Sequence, residues 1–192
     1  MEKALYKKIK PYSEFYADVS DIHSLYVRLY GNREGIPVFF LHGGPGGYTG
    51  EECARFFNSK KYHIVVFDQR GCGKSKPRNS LIHNTSQDLV DDIEKLRCFL
   101  QFNKIMLFGG SWGASLAILY CIKYPKNVFH YIIRGFTLLE EEIMPESFKL
   151  MYPEKWEKIV KLGGNQKQLQ ISKKFHSEIK KNNAKYINAW CD

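Results

Sequence analysis

Ser111 lies at the centre of KIMLFGGSWGASLAIL, where Gly109-Gly110-Ser111-Trp112-Gly113 forms a G-x-S-x-G pattern between an apolar run and a helix-forming stretch. A serine at such a junction can attack a carbonyl carbon, because a tight strand-to-helix turn lifts its hydroxyl clear of the backbone. Glycines two before and two after it leave room for the strained turn and for close helix packing. Ser111 is therefore the candidate nucleophile. In a chain with 15 glycines the pattern can also arise by chance, and Ser111 would then be a helix cap.

The surroundings favour chemistry. Upstream, PVFFLHGGPGG closes an apolar run with His42-Gly43-Gly44-Pro45-Gly46-Gly47, a loop whose bare backbone can aim N–H groups at a developing oxyanion. Gly44 N–H and Trp112 N–H are the expected donors, with Gly43, Gly109 and Gly113 as supporting positions. His42 ends the run before this loop, where orienting it is the expected job rather than acting as a base. A phosphate cradle is the rival reading, but no G-x-G-x-x-G spacing fits, and Gly73-Lys74-Ser75 lacks a glycine five residues before Gly73. FDQRGCGKS supplies a third polar corner. Asp68 there could be a catalytic carboxylate, although a charge-assisted hydrogen bond to Arg70 that ties the loop is the preferred reading. Cys72 is read as a small turn residue, since no motif ties a histidine to it.

Positioning these corners requires a parallel sheet. IPVFFLHG, HIVVFDQRG, KIMLFGG and YIIRG are short apolar runs ending in glycine or polar corners, as expected of strands buried on both faces. FYADVSDI and HSLYVRLYG precede them, and in the second Leu25, Val27 and Leu29 alternate with Tyr26, Arg28 and Tyr30, predicting an antiparallel hairpin. A helix is expected from Thr85 to Gln101 on the stripe Leu89, Val90, Ile93, Leu96, Phe99 and Leu100, with Thr85 and Asp88 as its capping start. Another follows Ser111, turns Leu116, Ala117, Tyr120 and Cys121 inward, and stops before Pro125. The alternation predicts an α/β fold with crossover helices over residues 1–139. From 140 to 192 charged residues alternate with Phe148, Trp156, Ile159 and Val160, and an all-helical appendage is expected.

Composition narrows the function classes. The chain has 192 residues, 44% hydrophobic and 26% charged, which excludes a disordered or fibrous protein. Its longest apolar run, Leu116 to Ile122, is far short of the roughly 20 residues a membrane span needs. The opening MEKALYKKIK lacks the apolar stretch of a secretory signal, so a cytoplasmic chain is expected. Five scattered cysteines without a CxxC pair signal neither a disulfide framework nor a zinc site. Lys and Arg outnumber Asp and Glu by 29 to 20, yet the cations come as dispersed pairs, so a solvated surface rather than a nucleic-acid partner is expected.

HGGPGG, DQRGCGKS, NTSQDLVDDIEKLR, GGSWGAS and YIIRGF, in this order and spacing, resemble the proline iminopeptidases (prolyl aminopeptidases) of the α/β-hydrolase fold. The resemblance runs from about Leu5 to Leu139, and beyond it YPEKWEKI and AKYINAW look like the start of that family's helical cap. It implies release of N-terminal proline from peptides by serine catalysis without a cofactor or metal, with the nucleophile carried onto Ser111 and the oxyanion hole onto Gly44 and Trp112. It departs from the family in two respects. The fold presents its acid and histidine after later strands, none of which is legible after YIIRG, so both are expected beyond residue 192. Of the later histidines, His130 begins the last strand and His176 lies in KKFHSEIKK, and neither is expected to reach the serine. Trp190 is followed by Cys191 and Asp192 where the family has a glutamate for the substrate amine. A catalytically silent homologue, a capped esterase and a peptidase of broader preference remain the alternative readings.

Overall fold

A computed structural model of the chain describes residues 5–135 and 153–163, together with Lys174, Ser177, Glu178, Lys181 and residues 183–185. The chain divides into two compact units, Met1–Phe136 and Thr137–Asp192.

The first unit is a six-stranded sheet in the order β1-β2-β4-β3-β5-β6. β1 (Ser13–Asp18) and β2 (Ser24–Gly31) form the expected hairpin, and β2 pairs antiparallel with β4 (Tyr62–Phe67). β3 (Ile36–Leu41), β5 (Ile105–Gly110) and β6 (Val128–Arg134) complete a parallel set with β4. Consecutive residues of a strand face opposite sides, so each central strand feeds two apolar layers. Val27, Phe39, Leu41, Val65, Phe67 and Leu107 join one layer, and Tyr30, Val38, Phe40, Ile64, Val66 and Met106 the other.

Two helices cover the first layer. α1 (Ser86–Phe99) starts on a complete capping box between Thr85 and Asp88, and it buries Leu89, Val90, Ile93 and Leu96. α2 (Trp112–Lys123) follows Ser111, ends before Pro125, and buries Leu116, Ala117 and Tyr120, while Cys121 is only partly buried. At roughly 1.5–3 kcal/mol for each large apolar side chain buried, these two stripes hold the layer together. Glu94 clamps the helices, accepting from Tyr120 Oη at 2.6 Å and pairing with Arg97 at 2.7 Å; the Arg97 guanidinium pulls its carboxyl down to about 2. The opposite layer is covered by a 3-10 helix, Glu51–Phe56, through Ala54, followed by Phe57, with Ile9 packed alongside.

Arg28 of β2 is buried, because the segment after the His42 loop lies over the strand. Its Nη2 donates to Thr49 O at 2.7 Å and to Thr49 Oγ1 at 2.6 Å. β6 is the last strand among the described residues, and its Phe129, Tyr131 and Ile132 remain exposed.

In the second unit, α3 (Pro153–Gly163) carries the PEKWEKI stretch, while Tyr152 before it lies outside the described residues. Of the remaining sequence expectations there, those on Phe148, His176, Trp190, Cys191 and Asp192 fall outside the described residues.

Candidate active site

The carboxyl ends of β3, β4 and β5 bring three loops together. β5 runs into α2 through a single residue, Ser111, whose φ of 53° and ψ of −122° lie in the left-handed half of backbone space, which serine rarely enters. The turn is held on all sides. Ser111 N–H donates to Arg134 O of β6 at 3.1 Å, and Ser111 O accepts from Ala114 N–H at 2.8 Å to open α2. A Cβ on Gly109 would lie 2.2 Å from Gly113 O, and one on Gly113 would lie 2.1 Å from Leu41 O, so neither position admits a side chain. Ser111 is exposed, and no described group hydrogen-bonds its hydroxyl.

The second loop lies beside it. A Cβ built on Gly43 would sit 3.4 Å from Ser111 Cβ and 4.0 Å from Ser111 Oγ, so the bare Gly43 backbone flanks the serine. His42, buried at the end of the strand, holds this loop with both ring nitrogens. Nε2 accepts from Gln69 N–H at 3.0 Å, which leaves the proton on Nδ1 to donate to Gly43 O at 2.8 Å. Burial pushes the His42 imidazole below its ordinary value, keeping it in this neutral form. A trans peptide sets N–H opposite C=O, so anchoring Gly43 O on the imidazole turns Gly44 N–H the other way. Gly44 N–H and Trp112 N–H have no acceptor among the described residues. Trp112 is also the first residue of α2, where the helix dipole favours negative charge.

The third loop braces the second. Gln69 grips His42 twice, since its side-chain Nε2 also donates to His42 O at 2.9 Å. Asp68 Oδ1 accepts from Thr49 N–H at 2.8 Å and Thr49 Oγ1 at 2.6 Å, and its Oδ2 accepts from Lys74 N–H at 2.9 Å. The expected tie between Asp68 and Arg70 is not what forms. Arg70 turns instead to Asp92 of α1 in a bidentate pair, both contacts at 2.6 Å and both side chains at most 3% exposed. Burial raises the Asp92 carboxyl, with the Arg70 guanidinium pulling the other way. Cys72 is buried in the same loop, and burial pushes its thiol up, away from the reactive thiolate.

Sequence reasoning missed Arg28, Thr49, Gln69 and Asp92 as members of this bracing. Asp92 had a signal, because it lies three residues after Leu89 on the inward stripe of α1, where a carboxylate needs a partner. Among the described histidines none bonds Ser111 Oγ. His130 lies on β6 beside Met106, four residues before Arg134, which pairs with Gly110 next to the serine; at roughly 3.3 Å per residue that is some 13 Å along the strand.

The arrangement can do one kind of chemistry well: an exposed hydroxyl on a strained turn can attack a carbonyl carbon, and Gly44 N–H and Trp112 N–H, which lack acceptors among the described residues, are available as donors. No group of described residues could hold a metal ion, and no described helix is long and apolar enough to cross a membrane.

Known proteins share this frame. The sequence profile of the alpha/beta hydrolase fold matches residues 36–190. The chain is 45% identical over 160 residues to a proline iminopeptidase of Arabidopsis thaliana, covering 81% of this chain and 42% of that protein. It is 40% identical over 177 residues to a proline iminopeptidase of Neisseria meningitidis serogroup A, covering 90% and 57%. Thus it spans about half the length of these relatives. Among solved structures, a proline iminopeptidase-related protein from Thermus thermophilus superposes with a TM-score of 0.56 at 30% identity, over 63% of this chain and 43% of that one. An epoxide hydrolase variant from Vigna radiata superposes with a TM-score of 0.59 at 25% identity, over 76% and 46%. By its sequence profile and by its mixed six-stranded sheet with a strained serine between strand and helix, the chain belongs to the α/β-hydrolase fold family.

Proposed function

We propose that the chain is the nucleophile-bearing part of a serine aminopeptidase that releases proline from the N-terminus of peptides. Ser111 Oγ, its proton taken by a general base, attacks the prolyl carbonyl carbon, and the oxygen of the tetrahedral intermediate takes hydrogen bonds from Gly44 N–H and Trp112 N–H. The peptide C–N bond breaks as that proton passes to the departing amine, leaving the shortened peptide free and a prolyl ester on Ser111, and water then hydrolyses the ester to release proline and restore the hydroxyl. His42, Gly43, Gly109 and Gly113 hold the two donors and the nucleophile in place. The general base and its carboxylate come from outside the described residues, because His42 has both nitrogens committed. The observation that carries the reading is Ser111 at φ 53° with the bare Gly43 backbone against it. Proline as the released residue rests on the likeness to proteins named proline iminopeptidases, at 40–45% identity. No cofactor enters this chemistry. Scattered free thiols suit a reducing compartment, and the cytoplasm is the proposed location.

The test is rate on a prolyl arylamide against a simple acyl ester, combined with labelling by a fluorophosphonate. Proline release that exceeds ester cleavage, with Ser111→Ala losing at least about 10⁴-fold in rate and all labelling, is the expected result. Faster ester cleavage would make the protein an esterase, and no labelling of the unaltered protein would make it a silent homologue.

A further inference from the structure

The loop that carries Gly44 N–H is fixed at both ends by consecutive residues of the corner after β4. Its entry, His42, rests on Gln69. Its exit, Thr49, rests on Asp68, whose Oδ1 accepts from Thr49 N–H at 2.8 Å and from Thr49 Oγ1 at 2.6 Å. From β2, Arg28 Nη2 donates to Thr49 O at 2.7 Å and to Thr49 Oγ1 at 2.6 Å. The Thr49 hydroxyl therefore accepts from a guanidinium and donates to a carboxylate, joining a cation and an anion that do not touch. All three residues are buried, where such bonds are little weakened by water.

Burying two charges without direct contact is costly, and the chain builds a shell for the carboxylate. Asp68 Oδ2 accepts from Lys74 N–H at 2.9 Å, and a Cβ on Gly73 would stand 2.2 Å from Oδ2. The Asp68 main chain is pinned as well, its N–H donating to Tyr26 O at 3.0 Å and its carbonyl accepting from Ser75 Oγ at 2.6 Å. A carboxylate fixed at both oxygens and at its backbone does not follow Thr49; Thr49 follows it.

Between its two fixed ends the loop folds on itself. A Cβ on Gly47 would lie 2.4 Å from Gly43 O, and one on Gly44 would lie 2.6 Å from Gly46 N and 2.7 Å from Gly47 N. Gly47 is two residues before Thr49, so a displaced Thr49 moves main chain that packs directly on the Gly43–Gly44 peptide.

We propose that Asp68 and Thr49 are positioning residues for the oxyanion donor Gly44 N–H: the buried Arg28–Thr49–Asp68 chain sets the exit of the loop as Gln69 and His42 set its entry. What the donor does rests on the serine-peptidase reading; how the loop is held does not.

Three variants of the full-length protein test it. Thr49→Val keeps the shape of the side chain and removes the hydroxyl, Thr49→Ser returns the hydroxyl, and Asp68→Asn turns an NH₂ group toward partners that are all donors. Each is measured for kcat and KM on a prolyl arylamide, for inhibition by proline and by pyrrolidine-2-boronic acid, and for the NMR signal of the Gly44 amide. The trigonal boron accepts a lone pair from Ser111 Oγ, whose proton passes to the general base, and the tetrahedral boronate presents an oxygen to the donors.

In Thr49→Val and Asp68→Asn, kcat should fall and the Ki of the boronic acid rise, each at least about ten-fold, short of the roughly 10²–10³-fold lost when an oxyanion donor is removed outright. KM and the Ki of proline should stay within about two-fold, and the Gly44 amide signal should move. Thr49→Ser should recover most of each loss. A role in folding alone would lower the active fraction, and with it kcat, while leaving the Ki of the boronic acid unmoved. That result, an unmoved Gly44 signal, or a Thr49→Ser no better than Thr49→Val overturns the proposal, and Asp68→Asn decides it if Thr49→Val does not fold. No proline release from the unaltered protein, with the Gly44 signal moving as expected, overturns the peptidase reading and leaves the positioning standing.

Discussion

The two loops that meet at Ser111 are held by different means. From Gly109 to Gly113 the turn is fixed by main chain packed on main chain: Gly109 against Gly113, and Gly113 against Leu41. From His42 to Gly47 side chains join main-chain packing: a Cβ on Gly47 would lie 2.4 Å from Gly43 O, while the His42 imidazole holds Gly43 O and the Gln69 amide holds His42 O. Gly46, at φ 90°, has no atom within 4 Å of where a Cβ would stand. The proposed nucleophile is thus seated in a packed core, and the proposed donor Gly44 in a loop whose anchor is a titratable ring. Position at the first loop depends on volume alone, and at the second on protonation as well.

The largest effect should come from volume. In Gly113→Ala the new methyl group would stand 2.1 Å from Leu41 O and 2.9 Å from His42 O, both backbone atoms that move only by shifting β3. Overpacking of this kind costs up to about 3 kcal/mol and occasionally more. Urea unfolding should show a loss of about 3 kcal/mol or more, and fluorophosphonate labelling of Ser111 should fall with it, since the shift displaces both loops. A stability change below about 1 kcal/mol would mean that the elbow is not packed as tightly as the contact distances imply.

Protonation should act on the other loop. A neutral His42 accepts from Gln69 N–H; once Nε2 is protonated it becomes a donor facing a donor, and the clamp opens. Burial depresses the folded-state value below that of the unfolded chain, so the folded protein resists taking up this proton. The contribution to stability is therefore complete above the unfolded value of about 6.5 and is lost as pH falls through the lower folded value. Stability of the unaltered protein should decline below about pH 6.5, with a slope of up to about 1.4 kcal/mol per pH unit for each such histidine. His63 is also depressed by burial and adds to the slope from the far end of β4. His42→Asn, which keeps a donor near Gly43 O but cannot take up a proton, should remove its own share of the slope and leave that of His63. An unchanged slope would show that His42 does not titrate with folding.

The contrast also explains what was legible in the sequence. The elbow could be read from GGSWG because its causes are local: an apolar run, a glycine on each side, a helix stripe after it. Thr85 and Asp88 were readable for the same reason, their capping box closing over three residues. The bracing of the second loop was not, since its partners are distant in sequence: Gln69 meets His42 from 27 residues away, and Arg70 meets Asp92 from 22. Asp68 and Arg70 look like partners in FDQRG, but the turn sends one to Thr49 and Lys74 and the other to α1. The burial of Arg28 was not legible either, because alternation in a strand tells which residues share a face and not whether that face is covered.

The smallest effect should come at the open end of the second loop. Gly46→Ala adds a methyl group into free space, so packing contributes nothing and the cost is conformational alone. An alanine held at φ 90° pays roughly 1–2 kcal/mol relative to glycine. Unfolding measurements should therefore register a loss well below that of Gly113→Ala, and Ser111 labelling should slow without disappearing, because His42, itself gripped by Gln69, still holds Gly43 O. Were Gly46→Ala to abolish labelling while leaving stability within about 2 kcal/mol of the unaltered protein, the orientation of Gly44 N–H would depend on the free end of the loop, and the imidazole would not be its anchor.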